Sequence, residues 1–256
     1  MALIQCRFFS ETLGLSTSMT VILPQETTNQ IGMKGAKMKA LHPTLYLLHG
    51  LSDDDSIWLR RTSIERYVAP LGLAVVMPQV HRSFYADMAY GYKYWTFLSE
   101  ELPKVCRSFF PLSDKREDNF VAGLSMGGYG AFKWALSKPE QFAAAAGLST
   151  ANLIYKDESS PLNNDLFLAF GEEAAGTEND LFYLIEKCQQ MDGPKPKIYQ
   201  CCGTEDFLYE RNLQLKEAFE KSSFDYTYEE EPGEHEWGYW DKKIQDVLSW
   251  LPLGNK

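Results

Sequence analysis

Five short, almost uninterrupted apolar runs recur along the chain, at residues 44–48, 73–77, 119–122, 143–148 and 198–202, and they constrain the fold more than any other feature. A strand buried on both faces reads this way, whereas a strand with one wet face alternates apolar and polar residues. Two alternating stretches, at residues 4–10 and 18–23, predict an antiparallel start, and residues 226–229 supply a last strand. Helical patterns at 63–71, 96–109, 129–136, 180–191, 211–221 and 239–251 separate or follow the runs. Strand followed by helix, repeated, predicts an α/β fold with a mostly parallel central sheet of about eight strands and helices on both faces. Residues 24–42 read as a polar, exposed excursion. Residues 152–179, rich in Asn, Asp, Glu and Gly, interrupt the alternation and are expected to join a lid or pocket wall. Without a repeat or linker, residues 1–256 are expected to fold as a single domain.

Charge and cysteine usage exclude several classes of function. The chain has 35 acidic against 25 basic residues, a net charge of -10, which argues against nucleic-acid and anionic-membrane partners. The N-terminus shows no signal-peptide pattern, and the apolar runs are far too short to span a bilayer. Five cysteines, odd in number and without ordered spacing, read as reduced, mostly buried thiols of a cytoplasmic protein, with Cys201 and Cys202 as the reactive alternatives. No dinucleotide or P-loop fingerprint is present, so no cofactor and no metal are expected. Asp53-Asp54-Asp55 reads as a solvated loop capping the next helix, with a cation site as the alternative.

Ligands of parallel sheets bind beyond the C-terminal ends of the strands. Gly123-Leu124-Ser125-Met126-Gly127 lies at such an end, between the run 119–122 and a helical pattern. A serine flanked by glycines at a strand-to-helix junction is the pattern of a nucleophile elbow, although an ordinary glycine-rich turn reads the same way. The difference rests on a base and an acid. Of four histidines, His235 follows the last strand in a glycine-bearing loop. Asp206 follows the preceding strand and could accept the imidazole Nδ1–H; Glu205 is its rival, but a short loop cannot aim both at one ring. The order Ser125, Asp206, His235 is that of the α/β-hydrolase fold, and each member ends a different expected strand.

An oxyanion hole completes the arrangement. Its first donor is expected from the N–H of Met126, directly after the serine. The second is expected from Leu51, because Gly50 in His49-Gly50-Leu51 lets the backbone approach and turn. His49 is expected to orient that loop rather than transfer protons.

The motifs Leu47-Leu48-His49-Gly50-Leu51, the elbow through Ala131, Gly203-Thr204-Glu205-Asp206-Phe207 and Gly233-Glu234-His235-Glu236-Trp237 resemble the esterase D group of α/β-hydrolases. His81-Arg82-Ser83-Phe84-Tyr85-Ala86-Asp87 and Tyr94-Trp95-Thr96 resemble the bacterial tributyrin esterases within it. The resemblance runs over nearly the whole chain. It implies a serine carboxylesterase that prefers short acyl groups, acetyl to butyryl. The same group holds S-formylglutathione hydrolases and carbohydrate deacetylases. The formylglutathione enzymes carry a cysteine shortly after the oxyanion-loop glycine, and here that loop reads Leu51-Ser52-Asp53-Asp54-Asp55. A non-catalytic relative that binds a partner through the same cleft is the alternative of another class, and such proteins usually lose a triad member.

Phe84, Tyr85, Tyr90, Tyr92, Tyr94 and Trp95 crowd one loop after the run 73–77. They could wall a shallow apolar slot or form a small core that stabilises the loop. Trp58, Tyr85, Tyr94 and Trp95 are the expected pocket residues, with a small-molecule ester as partner. Exposed aromatics near the cleft leave room for a homo-oligomer.

Overall fold

The computed structural model describes residues 1–33, 35–36, 40–151 and 162–254. Its elements in chain order are β1 (Ala2–Ser10), β2 (Leu15–Leu23), β3 (Thr44–Leu48), α1 (Ile57–Arg61), α2 (Ile64–Val68), β4 (Ala74–Pro78), α3 (Tyr94–Thr96), α4 (Leu102–Phe109), β5 (Asn119–Leu124), α5 (Met126–Ser137), β6 (Ala144–Leu148), α6 (Asn163–Phe170), α7 (Leu181–Gln190), β7 (Lys197–Gly203), α8 (Tyr209–Glu220), β8 (Tyr226–Glu231) and α9 (Trp237–Trp250). The strands form one eight-stranded sheet in the order β1-β2-β4-β3-β5-β6-β7-β8. Strand β2 runs opposite to the other seven, pairing antiparallel with β1 and β4, as the alternating opening stretches predict.

Strands β3 to β6 are buried at every position, because helices cover both faces. Alternate side chains feed two cores. Tyr46, Val76, Val121 and Ala145 pack toward α4, α5, α7 and α8. Leu45, Leu47, Val75, Phe120 and Ala144 pack toward α1, α2 and α9. Burial of this kind is worth about 1.5–3 kcal/mol per large side chain. Helix α5 is buried from Met126 through Leu136, which places it at the centre of its layer.

Two expected helices are interrupted by proline. The pattern 96–109 starts at Tyr94 but passes through a wide, π-type turn at Phe97–Glu101 before α4. Pro103 has no N–H for the Ser99 carbonyl, which accepts from Gln141 Nε2 instead, at 3.5 Å. The pattern 63–71 tightens to a 3-10 turn at Ala69–Leu71, around Pro70, and ends at left-handed Gly72.

The segment expected to form a lid, residues 152–179, carries α6; its residues 152–161 lie outside those described. Helix α6 docks on the aromatic loop that follows β4. Arg82 grips Asp165 with two bonds of 2.9 and 2.6 Å. Ala89 and Tyr90 donate their backbone N–H groups to Ala169 and Leu168, and the rings of Tyr90 and Phe167 stack at 5.1 Å. Among the described residues no helix is long and apolar enough to cross a membrane.

Candidate active site

The register aligns Leu48 of β3 with Gly123 of β5, and Leu124 of β5 with Leu148 of β6. The loops after β3, β5 and β6 therefore meet at one edge of the sheet. Ser125 sits there with φ 51° and ψ -118°, outside the regions an L-residue prefers. Its backbone is held by Ser125 N–H to Leu148 O at 2.8 Å and by Ala151 N–H to Ser125 O at 3.1 Å. The turn is so tight that a Cβ on Gly123 would lie 2.3 Å from Gly127 O, and one on Gly127 would lie 2.4 Å from Leu48 O. Glycine at both positions is thus a steric requirement of the elbow.

His235 Nε2 lies 3.0 Å from Ser125 Oγ, and His235 Nδ1 lies 2.8 Å from Asp206 Oδ2. With Nδ1–H donating to the carboxylate, Nε2 is left with a lone pair facing the hydroxyl. The Asp206 side chain is fully buried and that of His235 is 15% exposed. Burial alone would raise the Asp206 pKa. Hydrogen bonds from His235, the Leu208 N–H and Ser149 outweigh it and hold the carboxyl below its ordinary range.

Glu205 does not compete for the imidazole. Its carboxylate accepts from the Gly233 N–H, and its own N–H bonds Gly233 O at 3.0 Å. This clamp fixes the loop two residues before His235. Behind the imidazole, Trp240 packs edge-on at 4.8 Å and donates its indole N–H to Ser149 Oγ at 3.1 Å. Trp237 lies perpendicular to Trp240 at 5.3 Å and to Trp58 at 5.2 Å. A line of indoles therefore joins the His235 loop to the loop after β3. The sequence names Trp237 only as the end of the His235 motif and gives no sign of Trp240, whose spacing from Trp237 signals only a buried helix face.

The loop after β3 is pinned at three consecutive carbonyls. Trp58 Nε1 donates to Leu48 O at 3.0 Å, and Tyr85 Oη donates to His49 O at 2.8 Å. Gly50 O lies 2.7 Å from His49 Nδ1 and accepts the Asp53 N–H at 3.2 Å. Because C=O and N–H of one trans peptide point opposite ways, fixing Gly50 O aims the Leu51 N–H away from His49. Met126 opens α5, so its N–H is among the first-turn donors that the helix itself does not use. His49 Nε2 in turn accepts the Val80 N–H at 3.1 Å. Burial lowers the His49 pKa to about 4, so the ring is neutral at pH 7.

The four expected pocket residues differ in burial and in what their polar tips bond. Trp58 and Tyr85 are 1% and 0% exposed, and their polar tips are committed to the β3 loop. Both therefore support the loop after β3. Tyr94 is also buried, while Trp95 is half-buried with Lys133 Nζ 4.8 Å from its ring centroid. Of the two readings of the aromatic loop, a supporting core describes Phe84, Tyr85 and Tyr94; Tyr90 and Tyr92 remain exposed. Cys201 and Cys202 are fully buried with raised pKa values, which marks them as inert thiols. In the acidic run, Asp54 accepts from Ser56, and Asp55 from Ser18 and Thr20 of β2.

The sequence model of the Esterase family matches residues 10–251. An acetyl esterase of Caldicellulosiruptor saccharolyticus is 34% identical over 98% of both chains. Among solved structures, FphF, a fluorophosphonate-binding serine hydrolase of Staphylococcus aureus, superposes with TM-score 0.87 at 37% identity over 99% of both chains. The S-formylglutathione hydrolase FrmB of the same organism superposes with TM-score 0.85 at 38% identity, again over 99% of both. With a family match and an enzyme relative that both run nearly end to end, the chain belongs to the esterase family and is a carboxylic ester hydrolase of α/β fold.

Proposed function

We propose that the chain is a serine carboxylesterase that hydrolyses short-chain acyl esters, acetyl to butyryl, through an acyl-enzyme on Ser125. The observation that carries this reading is the continuous line from Ser125 Oγ to His235 to Asp206, at 3.0 and 2.8 Å. Ser125 attacks the ester carbonyl while His235 Nε2 takes its proton. Asp206 holds the imidazole tautomer and stabilises the imidazolium. The N–H groups of Leu51 and Met126 receive the oxyanion. His235 then protonates the leaving alcohol, and a water activated by the same ring releases the acid.

Two observations support a small acyl group. One relative is named an acetyl esterase. Buried Trp58 and Tyr85 fill the space beneath the oxyanion loop. The likeness to FrmB supports thioesters as a second substrate class. The test is a p-nitrophenyl ester series from C2 to C10 on wild type and Ser125→Ala. The expected peak is at C2 to C4, with a loss in the variant of at least about 10⁴-fold. A peak at C8 or beyond, or an active variant, overturns the reading.

A further inference from the structure

Phe207 is 75% exposed, yet its ring lies 4.5 Å from the His235 imidazole, centroid to centroid, with the planes at 50°. Its neighbours in sequence, Asp206 and Leu208, are both buried. The backbone that carries it is hydrogen-bonded on both sides of Phe207. The Asp206 N–H bonds Gly203 O at 3.2 Å, the Leu208 N–H bonds Asp206 Oδ1 at 2.8 Å, and the Tyr209 N–H bonds Asp206 O at 2.9 Å. An apolar ring is thus held in water beside the proton-transferring group.

The two aromatic neighbours of the imidazole differ. Trp240 is 5% exposed, with its indole N–H committed to Ser149. Phe207 also packs against the imidazole, but its ring remains open to solvent. When the tetrahedral intermediate collapses, the proton on His235 Nε2 passes to the leaving oxygen, the acyl C–O bond breaks and its electron pair stays with that oxygen. The leaving atom must therefore sit within hydrogen-bond reach of Nε2. Whatever is attached to it lies beside the imidazole, whose buried neighbour Trp240 is already packed and whose exposed neighbour Phe207 is free to be covered.

We propose that Phe207 is a specificity-determining residue for the leaving group, selecting esters whose alcohol carries an aromatic or extended apolar body. This rests on the serine-esterase reading above. An aromatic alcohol covers the exposed face of Phe207 as it departs, whereas a small alcohol leaves that face wet.

The test compares benzyl acetate with methyl acetate, which share an acyl group and have alcohols of similar basicity. The benzyl-to-methyl ratio of kcat/KM is measured for wild type, Phe207→Ala and Phe207→Leu. An aromatic contact of the usual strength predicts a fall of about tenfold in the ratio for the alanine variant, and a smaller one for leucine. An unchanged ratio overturns the proposal, whatever happens to the absolute rates, because a ring that merely supports His235 slows both esters alike. Labelling of Ser125 by a fluorophosphonate, run on the same proteins, separates the two levels. Labelling with an unchanged ratio removes only the role of Phe207, while failure to label wild type removes the esterase reading and this proposal together.

Discussion

Lys133 of α5 is buried, and its Nζ donates to Asn179 Oδ1 at 2.7 Å and Tyr85 O at 3.1 Å, with the Trp95 ring 4.8 Å away. These partners are uncharged, so burial dominates and lowers the amine pKa from 10.5 to about 7. The unfolded chain keeps its proton up to the ordinary lysine value. Between pH 7 and 10.5 it therefore binds more protons than the native state, and native stability rises with pH across that window. Integrated from pH 7 to 9, this one group contributes about 2 kcal/mol. At about 2–4 °C per kcal/mol for a chain of this size, Tm rises by roughly 4–8 °C from this source. Lys133→Met removes the term and leaves other titrations in place. The loss of two hydrogen bonds in the variant is a pH-independent offset. Thermal unfolding of both proteins under reducing conditions at pH 7, 8 and 9 is expected to give Tm profiles that diverge as pH rises, with wild type gaining. Parallel profiles would refute the reasoning, because they would mean that the buried amine keeps its proton.

Two further perturbations address the loop after β3 and the elbow. Tyr85→Phe and Trp58→Phe each take one donor from a buried carbonyl, a cost of about 1–3 kcal/mol in unfolding free energy by urea titration. If these donors aim the Leu51 N–H, kcat falls more than KM rises, and equal changes in both would contradict that role. Gly127→Ala places a Cβ 2.4 Å from Leu48 O and 2.7 Å from His49 O, so the elbow and the loop after β3 must separate. The expected result is a loss of at least about 100-fold in kcat, the scale of a missing oxyanion donor, together with a lower Tm; near-normal kinetics would show that the contact is not needed.

The fold was legible where burial leaves a one-dimensional trace. Strands covered on both faces carry few polar residues, so β3 to β7 stand out as largely apolar runs, with Thr44, Asn119 and Gln200 the buried polar exceptions, and the antiparallel β1 and β2 as alternation. Short or interrupted elements leave no such trace. Helix α1 has five residues, too few for a period, and α6 is embedded in a polar segment. In the site, Ser125, Asp206 and His235 could be singled out because each follows a different strand and the order is informative. The supports could not. Trp58 and Tyr85 look like pocket aromatics by type and position. What they do is set by carbonyls 10 and 36 residues away in the chain, and no periodicity reports such a pairing. Phe207 was visible only as part of a motif, because the exposure of a ring beside a buried acid is a property of packing.

Backbone strain follows the same geography. All the non-glycine residues with positive φ among the described residues, His81, Phe84, Tyr85, Ser125 and Ser149, lie beyond the C-terminal ends of β4, β5 and β6. Such conformations cost about 1–3 kcal/mol each and persist only where the surroundings over-determine them. Ser125, Ser149 and Tyr85 are over-determined. Ser125 is fixed through the Leu148 carbonyl, and Ser149 through the Cys201 carbonyl and the indole of Trp240. Tyr85 is fixed at its carbonyl by Lys133 and at its hydroxyl by His49 O. Each restraint comes from a neighbouring strand loop or from a helix packed against it, so none can relax without displacing a member of the site. A parallel sheet buried on both faces is stiff enough to hold Ser125 in this unfavourable geometry, and Leu51, Ser125, Asp206 and His235 all lie beyond the C-terminal ends of its strands, after β3, β5, β7 and β8 in turn.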